Sequence, residues 1–430
     1  MARDQEPGVG LLLIMQFIEE YLSKQHFHPN IPEKPAKGLG ICVVIPVFNE
    51  PALLLTLESL WACQLPFFET EIIIVVNAPE HSNECIVNQN IRTIGEVNFR
   101  IQHQVQSLIP VYVIHYPNMP VANAGVGLAR KTGMDEAVYR LNLAGNPNGI
   151  IVCFDADSVC DPNYFTEIES HFKQHPSVDG ASIYFEHPLM LPDSKMQQGI
   201  VQYELHLRYM NQALRYAHHP FAYHTVGSAM AVRMESYVKQ GGMNKRKAGE
   251  DFYFLQKIIG LGRYGEINTT RVIPSSRVSD RVPFGTGAAM KSWETNNLLN
   301  TYNLKAYDDI RYFLEGVQSF YEKADPKISD NASSPFLDYL NSINFEEHIH
   351  SIRSNSASFL TFRNRFFQWF SVFKVIKYLN YSHRVQYKKG SPFEESNRLL
   401  NKLGFDEKIE NSLEMLLFFR KLDRTGFGIQ

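Results

Sequence analysis

A chain of 430 residues has room for about two or three domains, and a composition of 44% apolar and 20% charged residues is that of an ordinary globular protein. The formal net charge of −3 gives no electrostatic case for a nucleic-acid partner. No apolar run is long enough to span a bilayer, and the N-terminus (Met1-Ala-Arg-Asp-Gln-Glu6) carries acids before only a brief apolar patch, Leu11 to Met15, so the expected compartment is the cytoplasm.

The first expected element is an amphipathic helix over residues 8–25, built on Leu12, Ile14, Phe17, Ile18, Tyr21 and Leu22 and broken by the proline-rich Asn30-Ile-Pro-Glu-Lys-Pro35. Gly40-Ile-Cys-Val-Val-Ile-Pro-Val-Phe-Asn-Glu50 then gives a strand, followed by a helical pattern through Leu54, Leu57, Leu60 and Trp61. Glu71-Ile-Ile-Ile-Val-Val-Asn77 is the second strand, and residues 82–107 are long enough for a helix. Pro110-Val-Tyr-Val-Ile-His115 is the third strand, Asn123 to Tyr139 the third helix, and Ile150 to Phe154 the fourth strand. Continuous apolar strands alternating with helices imply a parallel sheet covered on both faces, the doubly wound α/β class. In such sheets the ligand crevice lies outside the carboxyl ends of the strands, so Phe48, Asn49, Glu50, Asn77, Asp155 and Asp157 are expected at one rim.

Asp155 and Asp157 close the fourth strand two residues apart, so in extended chain both carboxylates lean to one side. Two like charges there repel unless one is protonated or a cation lies between them. Oxygen-only ligands suit Mg2+ or Mn2+, ions that commonly share coordination with substrate phosphates. A surface turn in which one aspartate caps the next helix is the plainer alternative. Further on, Asp161 with Pro162 opens a helix to about His175, and Gly180 to Phe185 forms a strand. Lys195 to Tyr216 reads as a helix, and the basic loop Gly241-Gly-Met-Asn-Lys-Arg-Lys-Ala-Gly-Glu-Asp251 feeds a helix from Phe252 to Ile259. That loop could approach a phosphate or be an ordinary solvated connection. Asp251 could equally be a helix-opening acid stabilised by the exposed amides. Five cysteines, at positions 42, 63, 85, 153 and 160, have no C-x-x-C spacing and read as buried free thiols, with no zinc site or disulfide framework suggested.

Four motifs, in order between residues 40 and 275, together resemble glycosyltransferase family 2, whose members have a GT-A fold. Val44-Ile-Pro-Val-Phe-Asn-Glu50 looks like the family's first strand, and Asn123-Ala-Gly-Val-Gly-Leu-Ala-Arg130 is similar to its glycine-spaced Ala-Arg helix. Phe154-Asp-Ala-Asp157 is similar to the D-x-D metal motif, and Gly227-Ser-Ala-Met-Ala-Val-Arg233 through Gly249-Glu-Asp251 to the acceptor-side block that ends in a Glu-Asp pair. The resemblance implies a mixed, mainly parallel sheet and a Mn2+- or Mg2+-dependent transfer from a UDP- or GDP-sugar. Pro46, Val47, Phe48, Asn49, Glu50, Asn77, Arg130, Asp155 and Ala156 would then hold the donor. Asp157 would ligate the metal, with Asp155 on the ribose or on the metal through water, and Asp251 would be the catalytic base with Glu250 helping to place acceptor or metal. Two departures stand out: Asn77 occupies a position where the family usually has a base-reading Asp, and no Q-x-x-R-W box of the processive synthases follows Arg271. The implied reaction is inverting and non-processive.

Residues 275–290 gather Arg277, Asp280, Arg281, Gly285 and Gly287, which suits either a mobile flap, with Arg281 on the diphosphate and Asp280 near the metal, or a plain connector. From about residue 291 the patterns are helical: Leu298 to Tyr321, Phe336 to Ile352, Phe359 to Tyr381 and Leu413 to Leu422. Between Arg353 and Gly390 there are basic residues and aromatics but no acid, so this stretch could lie on the inner membrane surface beside a lipid-linked acceptor, or its aromatics could be core. His206, His218, His219 and His224 lack a ligand pattern and read as structural. The expected domains are an N-terminal appendage over 1–38, a GT-A domain over 39–290 and a helical domain over 291–430. A sugar nucleotidyltransferase, or a binding protein that kept the fold without catalysis, are the alternative classes.

Overall fold

The computed structural model describes residues 9–103, 109–191, 193–278, 285–323 and 328–426. Through the sheet region the chain runs α1 (Val9–Lys24), β1 (Leu39–Val47), α2 (Leu53–Trp61), β2 (Glu69–Pro79), α3 (Glu84–His103), β3 (Val111–Met119), α4 (Val126–Leu143), β4 (Ile150–Cys153), β5 (Val159–Cys160) and α5 (Tyr164–Gln174). It continues with β6 (Gly180–Phe185), α6 (Ser194–Tyr216), β7 (Met230–Arg233), α7 (Met234–Lys239), α8 (Glu250–Ile259) and β8 (Tyr264–Ile273). The helices α9 (Thr286–Asn296), α10 (Leu304–Glu315), α11 (Val317–Glu322), α12 (Ser334–Ser342), α13 (Phe345–Ser354), α14 (Phe359–Trp369), α15 (Val372–Val385), α16 (Pro392–Lys402) and α17 (Ser412–Thr425) complete it.

Two compact units form, one drawn from Met1–Pro188 and Thr225–Ser275, the other from Leu189–His224 and Gly285–Gln430. In the first, eight strands make one mixed, mainly parallel sheet in the order β3-β2-β1-β4-β7-β6-β8-β5. Only β7 and β5 run against the rest. Every residue of β1 is buried, as a strand with a neighbour on each side and helices over it requires. Burying such Val, Ile and Leu side chains contributes roughly 1.5–3 kcal/mol each. Because β1, β2 and β4 are parallel neighbours, their carboxyl ends lie on one edge of the sheet. The antiparallel β7 begins at that same edge, with Met230 opposite Cys153. This register carries the segment before β7, with Gly227, to the exit of β4.

Helix α4 departs from the usual amphipathic plan, since it is buried nearly all round yet carries Arg130, Lys131, Asp135, Glu136 and Arg140. A buried charge is tolerable only when paired or hydrogen-bonded, and each of these is one or the other. Arg140 forks onto Glu71 (Nε to Oε2 2.6 Å, Nη2 to Oε1 2.9 Å), Lys131 meets Asp135 at 2.8 Å, and Glu136 accepts from the Asn30 backbone N–H at 2.9 Å. Asp135 also accepts the hydroxyls of Tyr21 and Tyr237, both at 2.7 Å, which fastens α1 to the sheet unit. Gly133 lets α4 lie directly on β1, because a Cβ there would come within 2.5 Å of Val44 Cγ1.

In the second unit the expected long helices are subdivided. Gly316 separates α10 from α11, Asn344 in the left-handed region (φ 51°) separates α12 from α13, and Phe370-Ser371 separates α14 from α15. Serine and asparagine caps restart several of them, among them Ser333 on Phe336 N and Ser358 on Thr361 N. The aromatics of 353–390 are largely core: Phe362, Phe366, Phe367 and Phe370 are buried, and Phe313 has the rings of Phe320, Phe336, Phe345, Phe366 and Phe370 at 4.9 to 5.8 Å. Arg363, Arg365, Lys377, Arg384, Lys388 and Lys389 remain exposed. No helix among the described residues is long and apolar enough to cross a membrane.

Candidate active site

The turn after β4 presents Asp155 and Asp157 at the carboxyl edge of the sheet, both partly exposed. It is held from below. Phe154 N donates to Val44 O at 3.0 Å, and Thr56 of α2 donates its hydroxyl to Ala156 O at 2.9 Å. Ala156 itself is buried.

Arg130, in the first turns of α4, is the electrostatic centre of this edge. Its guanidinium is buried, with Nη2 on Asp155 Oδ1 at 2.7 Å and Nη1 on Glu250 Oε1 at the start of α8. Burial alone would lower the arginine pKa, but Glu250 and Asp155 more than offset this and the net shift is upward, so it stays charged. Glu250 is buried too. Desolvation lifts its carboxyl to about 7, against the opposing pull of Arg130, and the neighbouring Asp251 and Asp155 push the same way as desolvation. Asp251 is also raised by burial, partly offset by Arg130 and by the backbone N–H groups of Phe252 and Gly227. Phe252 N donates to its Oδ1 at 2.7 Å. Unlike Glu250, Asp251 keeps accessible surface.

Gly227 completes the cluster. A Cβ at this position would lie 2.9 Å from both terminal nitrogens of Arg130 and 3.0 Å from Asp251 Oδ2, so only glycine lets the chain before β7 pass over the pair. The glycines that open α4 have a similar cause. A Cβ on Gly127 would come within 2.2 Å of Arg246 O, and one on Gly125 within 3.1 Å of Lys247 Cα. The backbone of the basic loop therefore rests on the start of α4, and Asn244 of that loop donates Nδ2 to Glu250 O at 2.9 Å.

Of the expected nucleoside cradle, Pro46, Val47 and Glu50 are buried, leaving Phe48 and Asn49 accessible. Glu50 turns inward and accepts from Ala52 N at 2.9 Å. Asparagines join the strand ends: Asn77 Nδ2 donates to Val47 O at 2.8 Å, Asn90 Nδ2 to Asn77 O at 2.9 Å, and Asn49 N to Asn90 Oδ1 at 3.0 Å. Asn77 thus acts as a donor between two strands, a task an ionised aspartate could not perform. Asp280 and Arg281, assigned to a flap, lie outside the described residues.

Among the described residues no three His, Cys, Asp or Glu side chains group as a self-sufficient metal site. Asp155 and Asp157 nonetheless offer hard oxygen donors at an accessible turn, and Arg130 engages only Oδ1 of Asp155. This donor set fits an ion that completes its shell with diphosphate oxygens and water. Three of the four histidines singled out in the sequence, His206, His219 and His224, are committed to contacts within the second unit. His206 Nδ1 meets Thr301 Oγ1 at 2.8 Å and His219 Nε2 meets Phe370 O at 3.0 Å, and desolvation lowers both rings to about 4. His224 meets Asp423 at 3.2 Å.

Residues 150–308 match the family described as Glycosyl transferase family group 2. That stretch contains Asp155, Asp157, Gly227, Glu250 and Asp251, and it is glycosyltransferase sequence of the family 2 type on a mixed, mainly parallel α/β sheet. No curated protein matches the chain. Among solved structures it is similar to TarS 1-349 of S. aureus in complex with UDP-GlcNAc, at 13% identity over 81% of this chain and 93% of that one, with a TM-score of 0.42. It is also similar to the mannosyltransferase PcManGT from Pyrobaculum calidifontis in complex with GDP-Man and Mn2+, at 11% identity over 98% of this chain and 95% of that one, with a TM-score of 0.35. At these scores neither bears on this chain's site.

Proposed function

We propose that the protein transfers a sugar from a UDP- or GDP-sugar to a hydroxyl of a glycan or glycolipid acceptor, with inversion and one sugar per encounter. The observation that supports this most directly is the buried Arg130, which ties the Asp155 turn to the Glu250-Asp251 pair and so sets a donor-side and an acceptor-side motif on one sheet edge. Asp251 is the base. It is partly exposed, its pKa is raised, and its Oδ1 is fixed by Phe252 N, so its carboxylate is aimed and basic enough to take a hydroxyl proton. As that proton moves to Asp251, the acceptor oxygen bonds to the anomeric carbon, the bond from that carbon to the diphosphate breaks, and its electron pair leaves on the diphosphate.

Glu250 is a positioning residue that holds Arg130. Mg2+ or Mn2+ on Asp157, with Asp155 beside it, would supply the Lewis acid that stabilises the departing diphosphate. Phe48 and Asn49 offer the accessible surface for the nucleoside, while Pro46, Val47, Glu50 and Asn77 shape its floor from beneath. Arg281 and Asp280 remain proposed donor and metal contacts. Transfer is assigned to the sheet unit and acceptor handling to the helical unit, where the exposed basic side chains of 353–390 suit an anionic lipid-linked acceptor at the inner membrane surface.

The test is release of nucleoside diphosphate from UDP- and GDP-sugars without acceptor, with Mn2+ and with chelator, in the wild type and Asp251→Asn. Metal-dependent release from one donor that Asp251→Asn abolishes supports the reading. Formation of nucleotide sugar from sugar phosphate and nucleoside triphosphate would replace it with a nucleotidyltransferase.

A further inference from the structure

Two of the five cysteines, far apart in sequence, meet behind the paired-aspartate turn. Cys63 Sγ and Cys160 Sγ lie 3.5 Å apart, the first just past the end of α2 and the second in β5. The two elements are laced together around them. Cys160 N donates to Ser59 Oγ at 2.8 Å, Gln64 N to Pro162 O at 2.7 Å, and Thr56, on the same helix, holds Ala156 O. Ser59 Oγ lies 3.5 Å from Cys160 Sγ, and Cys63 Sγ is 3.4 Å from Ser59 O. Cys42, Cys63 and Cys153 are buried, Cys160 is half-buried and is thus the side of the pair that solvent reaches, and Cys85 is exposed.

We infer that Cys63 and Cys160 form a peroxide-oxidisable dithiol whose disulfide closes α2 onto β5 and displaces the Asp155–Asp157 turn. A disulfide holds its sulfurs about 2.05 Å apart, so closure from 3.5 Å requires a movement of roughly 1.5 Å. Cys160 is three residues from Asp157, and Thr56 couples the same helix to Ala156, so the movement reaches the turn directly. The hydrogen bond shared with Cys160, against desolvation, holds the Cys63 thiol below its ordinary value, which favours Cys63 as the attacking thiolate. The chemistry balances in two steps. The Cys63 thiolate attacks hydrogen peroxide, the O–O bond breaks, and sulfenic acid and hydroxide form. The Cys160 thiol then attacks the Cys63 sulfur, expelling water as the S–S bond forms; two thiols are oxidised and one peroxide is reduced to water. The functional consequence rests on the proposed nucleotide-sugar site, but disulfide formation does not.

The experiment treats the whole protein with hydrogen peroxide and reads two quantities. Peptide mass spectrometry reports the cross-link, and UDP or GDP affinity in the presence of Mn2+ reports the turn. The expected result is a 63–160 cross-link that forms before other oxidation, is absent in Cys160→Ser and in Cys63→Ala, and is reversed by dithiothreitol. Nucleotide affinity or turnover should fall by about 10- to 100-fold, the scale of a misplacement near 1 Å in an active site. Oxidation at Cys85 with no 63–160 link overturns the dithiol, and a link that leaves binding and turnover unchanged overturns the coupling to the turn. A reduced wild type that binds none of UDP, GDP, CDP and dTDP would overturn the nucleotide-sugar reading instead, with the cross-link standing.

Discussion

Replacing Arg130 with Met should destabilise the sheet unit in a way that depends on pH, and the dependence identifies the responsible partner. Arg130 neutralises two carboxylates. The Asp155 side chain is 39% exposed and, once unpaired, is screened by water, so it contributes little. Glu250 is only 4% exposed and carries the cost. Its carboxyl already stands at about 7 against a usual 4.5, a difference worth ~3 kcal/mol. A carboxyl whose folded pKa is raised contributes stability that is fully present below the unfolded value and is lost as pH rises through the folded one. Without Arg130 the folded value climbs further, since the arginine opposes the rise. At about pH 6 Glu250 is mostly a neutral acid in both proteins and the loss is ~1 kcal/mol; by about pH 8.5 the wild type has released this proton while the variant's higher folded value resists its release, which adds up to ~2 kcal/mol and brings the loss to ~3 kcal/mol. Urea unfolding of wild type and Arg130→Met at the two pH values measures this directly. Adding Glu250→Gln should remove most of the pH difference. An equal loss at both values, or a larger loss in acid, would refute Glu250 as the partner that needs the arginine.

Asp251→Asn should lower kcat by ~10²–10⁴-fold, the range for loss of a general base. Glu250→Gln should cost less and move the acidic limb of the pH–rate profile; equal losses would contradict the division of roles. Gly227→Ala places a Cβ against Arg130 and Asp251 and should cut turnover by more than about tenfold, with a small change in melting temperature; unaltered turnover would show that the close approach is irrelevant. Asn77→Asp sets a carboxylate oxygen against Val47 O and Val75 O and should cost ~1–3 kcal/mol in urea unfolding, and a neutral effect would show that the strand-to-strand donor is dispensable.

The sequence was most legible where local pattern and tertiary role coincide. β1, β2 and β4 are continuous apolar runs because both faces are covered, so their composition announces them. β8 has no such signature: Tyr264 to Ile273 alternates irregularly between buried and half-buried positions, and β5 is two residues long. Both owe their pairing to neighbours far away in sequence. The helical half misled in its boundaries, because period alone runs through Gly316, Asn344 and Ser371, where a turn or cap residue ends one helix and starts another. Helix α16, which opens with Ser391-Pro392, had a readable cap but a short apolar face.

At the site, the carboxylates were legible because two acids at a strand exit are unusual. Their common partner was legible only as a residue type. Nothing near Arg130 in sequence indicates that its guanidinium would be buried between Asp155 and Glu250, 25 and 120 positions away. The roles of Gly227, Gly125 and Gly127 depend on which distant atoms approach them, the Arg130 and Asp251 side chains at the first and the backbone of the basic loop at the other two, and spacing alone does not show this. Asn77 is the reverse case. Its departure from the expected acid stood out in the sequence, and the Val47 carbonyl supplies a physical reason for an amide there.

The most direct test of the nucleotide-sugar site is thermal stability of the wild type and Asp157→Ala against UDP, GDP, CDP and dTDP, each with and without Mn2+, since a ligand that binds only the folded state raises the melting temperature. The account predicts a rise with one nucleotide that requires both the metal and Asp157. No rise with any nucleotide, or an equal rise in Asp157→Ala, would contradict it.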